Sequence, residues 1–175
     1  PRGFLRRHFP VQTVCLMRSA FRFAAAAAAA ALATASVSCG APAAATVAPC
    51  TTATAACEQW VALHGGPARS MVYATYSLDT VNTAVTRALI MVHGAGRNAD
   101  HYFETATAAG FLAGALGNTV IIAPHLISGN DSAQANEVVW PGRGDSWKSG
   151  GMAASDSTLS SFDIADELLR KLANK

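Results

Sequence analysis

The residue types best suited to chemistry at a backbone turn lie together near the middle of the chain, in Ala88-Leu89-Ile90-Met91-Val92-His93-Gly94-Ala95-Gly96-Arg97-Asn98. An apolar run stops at a histidine, and three small residues follow. A turn without bulky side chains lets backbone N–H groups approach a ligand closely. Gly94, Gly96 and Ala99 also match the dinucleotide fingerprint G-x-G-x-x-A, in which such N–H groups face a pyrophosphate. That chemistry needs an acidic residue about 20 positions on, at the end of the next strand, to hold a ribose. Here the next apolar run ends in Ala123-Pro124-His125, and the first acid after it is Asp131. A Rossmann-like dinucleotide module is therefore the alternative reading, weakened by the missing acid.

A serine nucleophile in the Gly-x-Ser-x-Gly setting is not found. Gly144-Asp145-Ser146 begins that motif, but Lys148 takes the place of its last glycine and no strand precedes it. Residues 142–149 approach a phosphate loop, yet Trp147 stands where a glycine must precede Lys148-Ser149. The tripeptide Arg143-Gly144-Asp145 occurs at chance frequency and carries little weight. His125 follows an apolar run and is a candidate for lining a site at the strand ends. Trp140 and Trp147 are candidates for a pocket wall, though packing of a loop against the sheet is the more common use of buried tryptophan. His64 and His101 read as solvent-facing.

The elements that must position these residues can be read from periodicity. Residues 71–78 are rich in β-branched and aromatic types and predict a strand. Residues 88–92 and 119–123 are short unbroken apolar runs, which suit strands buried on both faces of a parallel sheet, the second stopped by Pro124. Between them, residues 100–116 predict a helix. Asn98 or Asp100 is its cap, Tyr102, Phe103, Ala106, Ala109, Ala113 and Leu116 form its apolar face, and Gly117-Asn118 ends it. Residues 125–156 form a long polar, Gly-rich loop of the kind that usually surrounds a site. Residues 160–175 predict an amphipathic helix. Ser160 and Asp163 approximate a capping box, and Phe162, Ile164, Ala165, Leu168, Leu169 and Leu172 make its core face. Helices alternating with apolar strands predict an α/β fold with an incomplete, mostly parallel sheet and flanking helices.

The run 88–98 followed by Val120-Ile121-Ile122-Ala123-Pro124 resembles the start of the α/β-hydrolase fold, over roughly residues 70–175. In that family an apolar strand ends in His-Gly and a small residue, and the turn supplies an N–H to the oxyanion hole. The resemblance, closest to secreted esterase- or lipase-like members, implies carboxylic-ester hydrolysis in the intact protein and no cofactor. It makes Ala95, with Gly94 and Gly96 shaping the turn, the oxyanion-hole residue, and His93 the residue that orients the loop. The chemistry is consistent with this: two preset N–H donors stabilise the tetrahedral oxyanion, and losing one costs about 10²–10³ in rate. In the family the nucleophile follows the next strand, with the acid and catalytic histidine later still. The expectation is that all three lie beyond Lys175 and that this chain alone hydrolyses nothing.

Charge distribution narrows the partners. The formal charge is +2, but all acidic residues lie at or after Glu58, and from residue 46 on eight basic residues face eleven acidic ones, a net charge of −3. With no basic patch in its body, the chain is not expected to bind nucleic acid. The first residue is Pro1. From Met17 the sequence reads as a short basic region and an alanine-rich stretch, the pattern of a secretory signal peptide. Residues 1–16 then read as an upstream extension, 17–45 as the signal peptide, 46–69 as an Ala/Thr/Pro-rich arm, and 70–175 as the α/β-hydrolase part. The protein is expected to be secreted or periplasmic. It would be membrane-associated only if lipidated at Cys39, whose preceding Ser36-Val37-Ser38 departs from a lipoprotein box. Export makes a local disulfide between Cys50 and Cys57 the favoured use of those cysteines. No second pair or nearby histidine completes a zinc site. A third possibility is a non-catalytic exported domain that binds a ligand through the tryptophan-bearing loop.

Overall fold

The computed structural model describes residues 47–143 and 146–173, so the expectations for residues 1–45, Cys39 included, and for Gly144 and Asp145 lie outside the described residues. A hairpin opens the sheet: β1 (Glu58–Ala62) pairs antiparallel with β2 (Arg69–Ala74). The intervening turn carries His64 and Gly65 at φ 51° and 69°. β3 (Arg87–Ile90) then leads through a loop into α1 (Ala99–Leu112) and back to β4 (Thr119–His125), and α2 (Ser161–Ala173) follows the long loop. The strand order is β1-β2-β4-β3, with β2 antiparallel and β3 parallel to β4. The protein therefore has mixed α/β character.

Several expectations need correction. One of the three strand pairings is parallel, so the sheet is mixed and not mostly parallel. A parallel pair requires a crossover, and within the sheet only β3–α1–β4 provides one, whereas a tight turn returns the chain antiparallel. β1 lies in the segment expected to be an arm. Of its residues only Trp60 and Val61 favour a strand by type, and its conformation comes from pairing with β2. β4 runs through Pro124 to His125. β3 pairs with it only as far as Ile122, so beyond that point β4 has one neighbour and a missing N–H is tolerated.

The two helices cover opposite faces, and the alternation of β4 shows how. Ile121 and Ala123 pack against Phe103 and Ala106 of α1 together with Cys57, and Tyr73 stacks on Phe103 at 5.6 Å. Val120 and Ile122 join Val61, Val72, Trp140, and Ile164 and Leu168 of α2. Cys50 and Cys57 are disulfide-bonded, with Cα atoms 5.6 Å apart, and fasten the arm to the α1 face. α1 ends one turn earlier than expected. Gly114 takes φ 62°, its N–H bonds to Phe111 O, and the N–H of Ala115 bonds to Gly110 O, a Schellman closure. Ala109, within α1, and Ala113, just past its end, are exposed. At the start of α2 the Ser160 N–H donates to Asp163 Oδ2 at 2.6 Å. Phe162, Ala165 and Leu169, expected in its core face, are exposed. Among the described residues no helix is long and apolar enough to cross a membrane.

β3 departs furthest from expectation. It sits at the sheet edge, and Arg87, Ala88 and Leu89 are exposed, as is Val92 just beyond. A groove of about 310 Å³ beside it is lined by Val85, Thr86, Arg87, Ala88, Val120 and Leu172.

Candidate functional site

The parallel strands β3 and β4 end side by side, and His93 ties the segments that leave them. Its ring is 2% exposed. Nε2 lies 2.9 Å from the Leu126 N, and that N–H can only donate, so Nε2 is the unprotonated acceptor. The proton is then on Nδ1, which donates to Gly94 O at 2.9 Å. Both nitrogens are engaged, leaving none to act as a general base in this arrangement. Burial holds the His93 pKa below the ordinary histidine value, and the nearby His125 and Arg97 act in the same direction against its bond to Gly94.

The turn that follows is anchored through its carbonyls. Gly94 O also accepts the Arg97 N–H at 3.1 Å. Ala95 O accepts from Arg97 Nη1 at 3.0 Å. In a planar trans peptide the next N–H points opposite the carbonyl. The N–H groups of Ala95 and Gly96 therefore face away from these anchors, and neither has an acceptor among the described residues. Both residues are exposed. Gly94 is needed for close packing: a Cβ there would sit 3.3 Å from Tyr102 Oη. The arrangement leaves two consecutive exposed residues whose N–H groups have no partner among the described residues.

Two residues outside the expected set complete the turn. Arg97 Nε bonds Asp131 Oδ2 at 2.5 Å, and the same oxygen accepts the Ser128 N–H at 2.8 Å. Burial alone would raise the Asp131 pKa, but the Ser128 N–H and the Arg97 guanidinium outweigh it and hold the carboxyl below its usual range. The polar turn Ser128-Gly129-Asn130-Asp131 was the sequence signal for this contact, but nothing in the sequence says which basic residue it meets.

No family model, curated protein or solved structure matches this chain.

The expected pocket residues separate. Trp147 packs edge-on against His93 at 5.0 Å between ring centroids, and His125 lies 6.1 Å from His93, so these three come together. Trp140 does not join them. It is fully buried in the core on the α2 side, with its indole N–H unpartnered among the described residues. This corrects its place as a pocket residue: its strand-like pairing with Ser128 and its N–H bond to Ile127 O draw it under the sheet. Ser146 is buried and precedes a 3-10 turn at Trp147–Ser149. A pocket of about 250 Å³ beside the donor turn is lined by Met91, Asn98, His101, Tyr102 and Thr105. His64, over half exposed, pairs with Asp163 of α2 at 2.9 Å. β4 ends in His125, so no carboxylate stands at that strand end for a ribose, and the next acid, Asp131, is already paired with Arg97. Among the described residues no three His, Cys, Asp or Glu side chains are grouped to hold a metal ion.

Proposed function

We propose that this chain carries the oxyanion-stabilising part of an exported ester hydrolase built on a partial α/β-hydrolase fold. The observation that carries this is the turn at Gly94, Ala95 and Gly96, in which the Gly94 and Ala95 carbonyls are held by His93 and Arg97 while the N–H groups of Ala95 and Gly96 have no partner among the described residues. The turn joins the third strand to the first helix, the place where α/β-hydrolases recruit one oxyanion donor. Donors fixed before reaction need no reorganisation as charge develops on the carbonyl oxygen.

The surroundings support the same reading. Helices on both faces, with the crossover after β4 on the opposite face from α1, would make the C-terminal end of β3 a switch point if a strand adds to its free edge. The exposed Leu89 and Val92 and the neighbouring groove suit such a strand, and it would deliver the nucleophile beside Ala95. The ester oxygen would then lie against an N–H of this turn, the second donor following the nucleophile, with the leaving group in the adjoining space. The Cys50–Cys57 disulfide accords with export to an oxidising compartment.

The test uses the intact protein produced from its native gene. A fluorophosphonate probe is expected to label one serine, and p-nitrophenyl esters to be hydrolysed. Ala95→Pro, which removes an N–H, is expected to lower kcat by about 10²–10³ with the fold retained by circular dichroism. Absence of labelling together with a thermal shift on adding nicotinamide dinucleotide would sink the proposal in favour of dinucleotide binding.

A further inference from the structure

We propose that Arg97 and Asp131 form a positioning clamp that keeps the donor turn from flipping its peptides. The inference rests on the ester-hydrolase reading and names what holds that site in its working geometry. Arg97 adopts φ 54°, a region side-chain-bearing residues rarely occupy. It is kept there by three bonds: its N–H to Gly94 O, Nη1 to Ala95 O, and Nε to Asp131 Oδ2. Asp131 is itself preset by its own turn, where its N–H bonds Ser128 O at 2.8 Å and its carboxylate takes the Ser128 N–H. One planar guanidinium thus reads a carbonyl on one loop and a carboxylate on the other, which a lysine cannot do with the same geometry.

The consequence lies in the Ala95–Gly96 peptide. With Ala95 O held, the Gly96 N–H is presented on the opposite side. Released, that peptide can rotate and exchange its N–H for a carbonyl oxygen, which would repel an oxyanion. In this geometry Arg97 and Asp131 bind each other and the loops, so they act through the turn and are positioning residues. Because the donors matter most when charge develops, loss of the clamp should lower kcat while leaving KM nearly unchanged.

The experiment compares wild type, Arg97→Lys, Asp131→Asn and the Arg97→Lys/Asp131→Asn double variant in the intact protein. Arg97→Lys is expected to lower kcat by about 10²-fold, the scale of a misplacement of roughly 1 Å, with KM within about twofold. Asp131→Asn keeps an acceptor for the Ser128 N–H and is expected to lose about tenfold, and the double variant should be no worse than Arg97→Lys alone. Fluorophosphonate labelling should persist at a reduced rate. Amide resonances of Ala95 and Gly96 should shift in Arg97→Lys, while those of α1 stay in place. Unchanged kcat in folded variants, or a raised KM at constant kcat, would overturn the clamp. If the intact protein neither labels nor hydrolyses esters, the ester reading fails separately. The clamp is then judged on the amide resonances, and unmoved Ala95 and Gly96 signals in Arg97→Lys overturn it.

Discussion

β3 and β4 are parallel neighbours made of the same kind of residue, yet they live in different solvents. In β4, Ile121, Ile122 and Ala123 are 0% exposed. In and just after β3, Leu89 is 39% and Val92 47% exposed. β4 has strands on both sides and helices on both faces, whereas β3 is bordered by β4 alone. An apolar run therefore says that a strand wants burial; place in the sheet decides whether it is granted. The turn at His93–Asn98 leaves the less covered strand. Its shape depends on stitches to the better-covered one, His93 to the Leu126 N–H and Arg97 to Asp131.

The largest expected contrast is in stability. Ile121→Ala should cost about 3 kcal/mol, because it removes fully buried methyl groups and leaves a cavity between β4 and α1. Leu89→Ala should cost about 1 kcal/mol or less in urea unfolding of residues 1–175 alone, without the strand proposed to cover this edge in the intact protein, since much of that side chain already meets water. Equal losses would mean that the β3 edge is covered in solution, and the contrast would break.

A smaller effect is expected from pH. Burial depresses the His93 pKa, so on acidification the unfolded chain takes up the proton first. The stabilisation is present above about pH 6.5 and is lost as pH falls below it. Urea midpoints measured between about pH 7.5 and 5.5 should fall on acidification, and His93→Gln, which can still accept the Leu126 N–H, should flatten the curve. An identical slope in that variant would mean that His93 does not carry the pH dependence.

The smallest stability change is expected from paired Leu89→Lys and Val92→Lys substitutions, within about 0.5 kcal/mol. Charges on an edge oppose pairing with another chain, so light scattering should show less self-association than wild type. A large loss of stability instead would show that these side chains are already packed.

The strand–turn–helix–strand order around His93 was legible because each signal there is local. Unbroken apolar runs, small residues at the turn and a helical period read over residues 100–116 require no knowledge of distant partners. The Ser160–Asp163 cap was legible for the same reason. β1 was not, because its strand state depends on pairing with β2. The end of α1 was placed too late because two glycine signals compete. Gly114 wins by closing the helix with two bonds back onto Phe111 and Gly110. The two tryptophans look alike in sequence, but the strand-like contacts of Trp140 carry it into the core while Trp147 reaches His93.

The sequence by itself determined that a histidine and three small residues would follow an apolar strand and precede a helix. Hydrophobic periodicity and the sterics of small residues act over a few positions, so they can be read without knowing distant partners. Tertiary structure alone decided that β3 lies at an edge, that the sheet is mixed, and that Arg97 meets Asp131 across 34 residues of chain. Those outcomes depend on which surfaces meet after the chain has folded back on itself. The turn needs both levels: small residues permit it, and carbonyl anchors from Arg97 and His93 leave the N–H groups of Ala95 and Gly96 without partners among the described residues.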